Sequence, residues 1–295
     1  MNIFITGATG FIGKHLVSKL VSEGHLVTIN IYGNEQSPFD KIVHTYQLDE
    51  ANPHKDSEYL KLEKFDGIIH LASLYLTDHK PEDAIRLINS NVRFSTYILE
   101  CASQSKIKWF LNTGTFWQHY QNAVYSPVNL YAATKQAFET IAQYYIETNQ
   151  IRFCTLKLSD TFGPNDTRPK IFNLWERIAK SGETLEMSPG DQIIDISFID
   201  DIVNAFILLA TQLTSNNIEI DNGSCFAVKA EQRYTLKKLA NIFEKVTGNK
   251  LNISWGGRSY REREVLEPWK DGIIIPNYKP EISIENAINR IFNKP

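Results

Sequence analysis

Apolar runs and helical patterns alternate along the first half of the chain. The runs Asn2 to Thr6, His25 to Ile31, Gly67 to Leu71, Trp109 to Thr113 and Phe153 to Leu158 are rich in Ile, Leu, Val and Phe, as strands buried on both faces are. Between them the apolar positions recur with a helical period. In the first such segment Leu16, Val17, Leu20 and Val21 share one face, Lys14, Ser18 and Lys19 take the other, and Gly24 is placed to stop the helix. Strand then helix, repeated, predicts an α/β fold with a doubly wound parallel sheet. After Gly163-Pro164 the alternation breaks. A helix around Ile171 to Lys180, a strand-like run from Gln192 to Ile199, a helix from Asp201 to Thr211 and a strand near Cys225 to Val228 follow. The chain ends with a helix from Thr235 to Thr247 closed by Gly248, a charged aromatic stretch from Arg258 to Trp269, and a short helix from Ser283 to Phe292.

Composition narrows the function. The chain has 295 residues, 42% of them hydrophobic and 22% charged, with a formal net charge of -3. Disorder, collagen and a disulfide miniprotein are excluded. The slightly acidic balance offers no general field to DNA, RNA or an anionic membrane, so neither nucleic acid nor membrane is an expected partner, and any anion needs a local site. Cys101, Cys154 and Cys225 are too scattered for a zinc site or a disulfide framework, and no metal is expected. The opening Met-Asn-Ile-Phe-Ile-Thr-Gly reads as a strand entering a turn rather than a signal peptide, and no run approaches the roughly 18 apolar residues of a membrane span. The expected compartment is cytoplasmic.

Gly7-Ala8-Thr9-Gly10-Phe11-Ile12-Gly13 follows the first strand and opens the first helix. There the three glycines have separate jobs: a tight turn, close approach of backbone to a pyrophosphate, and close packing of helix on strand. The helix start adds free N–H groups and partial positive charge. This predicts a Rossmann-like dinucleotide-binding domain over residues 1–164, with returning segments near 192–230, and a smaller α/β substrate-binding lobe from 165–191 and 231–295. The second strand ends Asn30-Ile31-Tyr32-Gly33-Asn34, without the Asp or Glu that accepts from the ribose hydroxyls in NAD sites. NADP (as NADPH) is therefore favoured, with NAD the alternative, and Tyr32 and Asn34 are candidate contacts.

Asn129-Leu130-Tyr131-Ala132-Ala133-Thr134-Lys135 begins another helix, and the spacing of four puts Tyr131 and Lys135 on one face. A phenol is a poor acid or base near neutrality unless a nearby cation stabilises its phenolate. Alone, the pair reads equally as an amphipathic surface pair. Together with Thr6 to Gly13, His70-Leu71-Ala72 and Phe162-Gly163-Pro164, it resembles the short-chain dehydrogenase/reductase superfamily, in its extended, nucleotide-sugar-modifying branch, the NAD-dependent epimerases and dehydratases. The resemblance covers essentially the whole chain. It implies a nicotinamide cofactor held by Thr6, Gly7, Thr9, Gly10, Phe11, Ile12, Gly13, Leu71, Ala72, Asn91 and Lys135. It also implies a catalytic triad in which Thr115, or alternatively Thr113, holds the reacting oxygen, Tyr131 transfers the proton and Lys135 lowers the tyrosine pKa. Asn91 either supports the helix and proton relay or is a core hydrogen bonder.

The dehydratases of that branch follow the Thr with Asp and Glu, whereas Phe116 and Trp117 stand here and cannot do acid/base work. The segments Leu111 to Trp117 and Leu156 to Asp160 are similar to the bacterial 4-ketoreductases of CDP-linked 3,6-dideoxyhexoses, the abequose and paratose synthases of O-antigen assembly, although Ser159 and Ile194 replace the Glu and Arg of that pattern. The resemblance implies a nucleotide-diphosphate sugar contacted by Tyr75, Phe116, Trp117, Asp160, Asn165, Lys170, Arg261 and Glu264, with Arg263 a further candidate, and a homodimer. The competing readings are an epimerase of the same family and a non-catalytic NADP-binding regulator.

Overall fold

In β1 (Asn2–Thr6) Ile3 and Ile5 enter one apolar cluster and Phe4 enters a second on the opposite face. Burying such a side chain is worth about 1.5 to 3 kcal/mol, so a strand with no polar face is fixed in the middle of the molecule. The computed structural model describes residues 1–215 and 220–293. After β1 come α1 (Phe11–Ser22), β2 (Leu26–Asn30), β3 (His44–Tyr46), α2 (Pro53–Leu62) and β4 (Gly67–His70). Then α3 (Asp83–Ile88) passes through a π-helical turn (Asn89–Arg93) into α4 (Phe94–Gln104), followed by β5 (Trp109–Thr115), α5 (Leu130–Glu147) and β6 (Arg152–Leu158). Gly24 stops α1 as expected: at φ +80° its N–H reaches Val21 O and that of His25 reaches Leu20 O.

The second half comprises β7 (Asp160–Phe162), α6 (Ile171–Ser181), β8 (Leu185–Met187), β9 (Ile193–Ile194), β10 (Ile196–Phe198), α7 (Ile199–Thr214), β11 (Cys225–Val228), β12 (Tyr234–Thr235), α8 (Leu236–Thr247), β13 (Ile253–Trp255) and α9 (Ile284–Phe292). Seven strands form one parallel sheet in the order β11-β6-β5-β4-β1-β2-β3, the doubly wound arrangement expected. Helices α2, α4 and α5 bury one face; α1 and α7 bury the other, in a cluster that continues into α6, α8 and α9. Strand order reverses between β1 and β4, and a crevice at the carboxyl ends of strands at such a point is where open α/β sheets take ligands.

Two local departures from the sequence reading have clear causes. The run Gln192 to Ile199 is two strands, not one, because Asp195 turns inward and accepts from Ser159, Ala230 N–H and Arg233. β9 pairs with β12 and β10 with β7. The run Trp109 to Thr113 extends to Thr115, paired in register with β6 as far as Leu158. Among the described residues, no helix is long and apolar enough to cross a membrane.

Candidate active site

The glycine turn ends at α1, whose N-cap Gly10 makes no side-chain cap and whose first turn holds no acidic residue, leaving the helix start able to meet an anion. The three glycines differ in what surrounds them. A Cβ on Gly7, at φ +70°, would lie 2.5 Å from Ala72 N, and one on Gly13 would lie 2.4 Å from Gly7 O, so both serve packing. At Gly10 a Cβ would meet only Gly7 O, at 3.3 Å; the remaining space faces a groove of about 230 Å³. That open backbone cradle fits the diphosphate of a dinucleotide.

The same groove is lined by Phe11, Ile12, Leu71, Tyr75, Thr115, Trp117, Tyr131, Lys135, Asp160 and Lys170, so residues distant in sequence are brought together. Asn129 caps α5 by accepting from Ala132 N–H and donates to Thr77 O, pinning the helix start to the loop beyond β4. Tyr131 is the second residue of that helix, where the peptide dipoles present positive charge. Burial pushes its phenol up, Tyr75 adds to this, and Ser73 works against it. Burial likewise pushes the Lys135 ammonium down to about 8, against an upward pull from Glu139. Burial is the largest influence on the Tyr131 phenol, which stays protonated at neutral pH.

Thr115 and Thr113 are distinguished by their hydroxyl protons. Thr113 Oγ donates to His70 O at 2.9 Å, whereas Thr115 Oγ accepts from Trp117 N–H at 3.3 Å and keeps its proton free for a ligand oxygen. Asn91, 1% exposed, spends its whole amide on the fold: it donates to Leu74 O and Thr134 Oγ and accepts from Leu74 N–H and Ser73 Oγ. It braces α5 rather than facing the groove. Thr6 and Ala72 also act behind the wall, Thr6 Oγ bonding His70 and accepting from Ala72 N–H.

A second cleft of about 450 Å³ shares Trp117, Ser159 and Asp160 with the groove and is lined further by Phe116, His119, Arg261, Arg263, Glu264 and Trp269. Arg261 Nη2 stands 3.7 Å from Asp78, and Glu264 accepts from Arg261 N–H, closing the turn that aims the guanidinium. Arg263 is committed elsewhere, donating to Ser126 and stacking on Tyr120. Lys170 bonds Asp160 at 2.9 Å and the Tyr75 hydroxyl at 3.2 Å; burial opposes its charge, but those two partners raise it.

Besides Thr6, Ala72 and Asn91, the candidates Thr9, Tyr32, Asn34 and Asn165 line neither cavity. Asn165 is exposed on a turn at φ +61°, and Tyr32 and Asn34 are exposed beyond β2. The residue after them was missed: Glu35 accepts from Thr9 Oγ at 3.3 Å. A carboxylate thus stands near the glycine turn although the strand end Asn30 to Asn34 carries none. Sequence reading also passed over Arg168, which lies over Phe11 in the groove and is held by Asp166, and the pair Asp195–Arg233, whose carboxylate accepts from Ser159, one of the two residues that depart from the family pattern. The signal was present in each case but divided among separate segments.

Comparison with known proteins agrees with this geometry. The model of the NAD dependent epimerase/dehydratase family matches residues 3–220. CDP-abequose synthase of Yersinia pseudotuberculosis is 27% identical over 91% of this chain and 92% of its own length, and UDP-glucose 4-epimerase of Lacticaseibacillus casei is 24% identical over 100% and 98%. UDP-glucuronic acid 4-epimerase of Bacillus cereus, solved with UDP-glucuronic acid and NAD, superposes with a TM-score of 0.84 over 99% of this chain and 98% of that one, at 18% identity.

Proposed function

The chain belongs to the NAD dependent epimerase/dehydratase family, and we propose that it reduces a nucleotide-linked 4-keto-6-deoxy sugar, of the CDP-4-keto-3,6-dideoxyhexose kind, with a nicotinamide dinucleotide as the hydride source. The observation that carries this is the meeting of Tyr131, Lys135 and a proton-free-to-donate Thr115 where the glycine-turn groove joins the cleft of Arg261. The likeness to CDP-abequose synthase over almost its full length supports the choice of sugar.

When bound, the dinucleotide supplies hydride to a carbonyl carbon. The protein's own groups do the rest. Thr115 and Tyr131 donate to the carbonyl oxygen, so negative charge developing there is met by hydrogen bonds already in place. Tyr131, kept protonated by burial, then gives up its proton as general acid. Lys135 holds the nicotinamide ribose and compensates the phenolate that is left. Phe116 and Trp117 wall the sugar with apolar surface and offer no group to abstract a proton from it, which separates this reaction from elimination of water. Arg261 neutralises the diphosphate.

Epimerisation uses the same three groups and is the second reading, favoured by the likeness to two 4-epimerases. Stoichiometry decides. A panel of CDP-, dTDP-, GDP- and UDP-4-keto-6-deoxy sugars with NADPH or NADH should show one reduced cofactor consumed per sugar. Interconversion of the corresponding 4-hydroxy sugars with no net cofactor consumption overturns the reductase reading. Cofactor binding without turnover of any sugar identifies a regulator.

A further inference from the structure

β6 carries Lys157 into the interior beside α5. Its ammonium, 3% exposed, lies 3.3 Å from Glu139 Oε2 and 2.8 Å from His119 Nε2. The other ring nitrogen of His119 is 3.1 Å from Ala123 O, which assigns the proton to Nδ1 and leaves Nε2 to accept from Lys157. Glu139 is one helical turn beyond Lys135, so the two share a face of α5. Its second oxygen, Oε1, is buried without a hydrogen-bond partner. Gly114 makes the room: a Cβ there would fall 2.9 Å from that oxygen and 2.8 Å from Lys157 Cγ. The Glu139 carboxylate is thus paired with the Lys157 ammonium and shares a helix face, one turn away, with the buried Lys135.

A lone ammonium in a water-excluded site gives up its proton unless an opposite charge holds it. Apart from Asp271, which acts on His119 from the tail, the other titratable groups near these three are uncharged at neutral pH. Burial pushes Tyr131 on α5 up, His70 on β4 well down with Lys135 adding to the effect, the Cys225 thiol on β11 up to about 11, and His119 down to about 4 with Lys157 adding to the effect. Lys135, Glu139 and Lys157 are left as the charges that set one another.

We propose that Glu139 is the counter-ion that keeps Lys135 charged, and that Lys157 tunes it by competing for the same carboxylate, both acting as positioning residues for the reductase. Only the role of Lys135 in turnover rests on the function proposed above; the charge arrangement does not. The competition has a signature that mere damage to the fold lacks, since removing the two partners moves Lys135 in opposite directions.

The test is direct titration of Lys135 in the full chain labelled with 13Cε-lysine, its resonance identified by loss in Lys135→Met. Glu139→Gln should lower the midpoint by about one pH unit and Lys157→Met should raise it by a similar amount. Lys157→Arg, which keeps the competing charge, should leave it near wild type, and Glu139→Asp supplies a milder loss if Glu139→Gln does not fold. Midpoints that stay fixed, or move in the same direction in Glu139→Gln and Lys157→Met, overturn the proposal. Midpoints that move as stated in a protein that reduces no 4-keto sugar uphold the counter-ion and overturn only the reductase reading.

Discussion

Tyr131 and Lys135 stand one turn apart on α5, and the same burial moves their protons in opposite senses, holding the phenol protonated and loosening the ammonium to about 8. At neutral pH the phenol has its proton and the ammonium still has its charge, and that charge offsets the cost of leaving a phenolate in a buried site.

Tyr131→Phe keeps the ring that packs against Tyr75 and removes only the acidic group. The kcat on the best 4-keto sugar should fall by about 10² to 10⁴, the usual worth of one general acid, while the cofactor Kd stays within error. Near-normal turnover would remove this tyrosine from the mechanism.

Activity should decline as pH rises through about 8, where Lys135 loses its proton. The same shift has a cost in stability. The pKa of Lys135 is depressed in the folded chain relative to about 10.4 in the unfolded one. Below about 8 the burial of its charge therefore opposes folding in full, and stability attributable to this group rises with pH between the two values. Lys135→Met should abolish turnover yet raise the unfolding free energy at neutral pH, by on the order of 3 kcal/mol at most. A lower Tm for that variant at pH 7 would contradict the assignment.

Arg261 faces Asp78 across 3.7 Å with both side chains largely in solvent, an arrangement worth little by itself. A diphosphate would give the guanidinium a better partner. Arg261→Ala should raise the substrate KM roughly ten- to a hundred-fold and leave cofactor affinity alone, whereas Asp78→Asn should lower the KM. A fall in cofactor affinity with unchanged KM would place the tail elsewhere.

Glu35 brings negative charge to the glycine turn through its contact with Thr9. A 2′-phosphate placed there would be repelled, so NADH should bind more tightly than NADPH, and Glu35→Gln should narrow the difference. Fluorescence titration of both cofactors measures it. Tighter binding of NADPH, unaltered by Glu35→Gln, would show that the phosphate lies away from this carboxylate.

What could be read from the sequence follows from how locally each feature is encoded. The buried strands announce themselves because Phe110 and Leu111, and likewise Phe153 and Cys154, are neighbouring apolar residues that are both buried, leaving no solvent face. The edge strand β3 does not, because His44 and Thr45 are exposed and only three residues pair. The Tyr131–Lys135 pair is legible since helix geometry alone joins them. Lys157 is not, because a lysine in an apolar run says nothing about the Glu139 and His119 that meet it from other elements. Glu35 was overlooked for a similar reason: Gly33, at φ +57°, bends the chain after β2 so that a residue beyond the strand end returns to the glycine turn.

The π-helical turn at Asn89–Arg93 makes the segment from Asp83 to Gln104 intolerant of shortening in a way its surface would not suggest. Such a turn is an α-helix with one residue too many, and each residue advances a helix by about 100°. Deleting one residue there would give a more regular helix and would spare the apolar contacts of Ile98 and Leu99, yet it would rotate the preceding turns and swing the Asn91 amide away from Leu74 and Thr134. In a library of single-residue deletions, variants in this window should therefore separate from the rest, accumulating as folded protein while losing the register on which the placement of α5 depends.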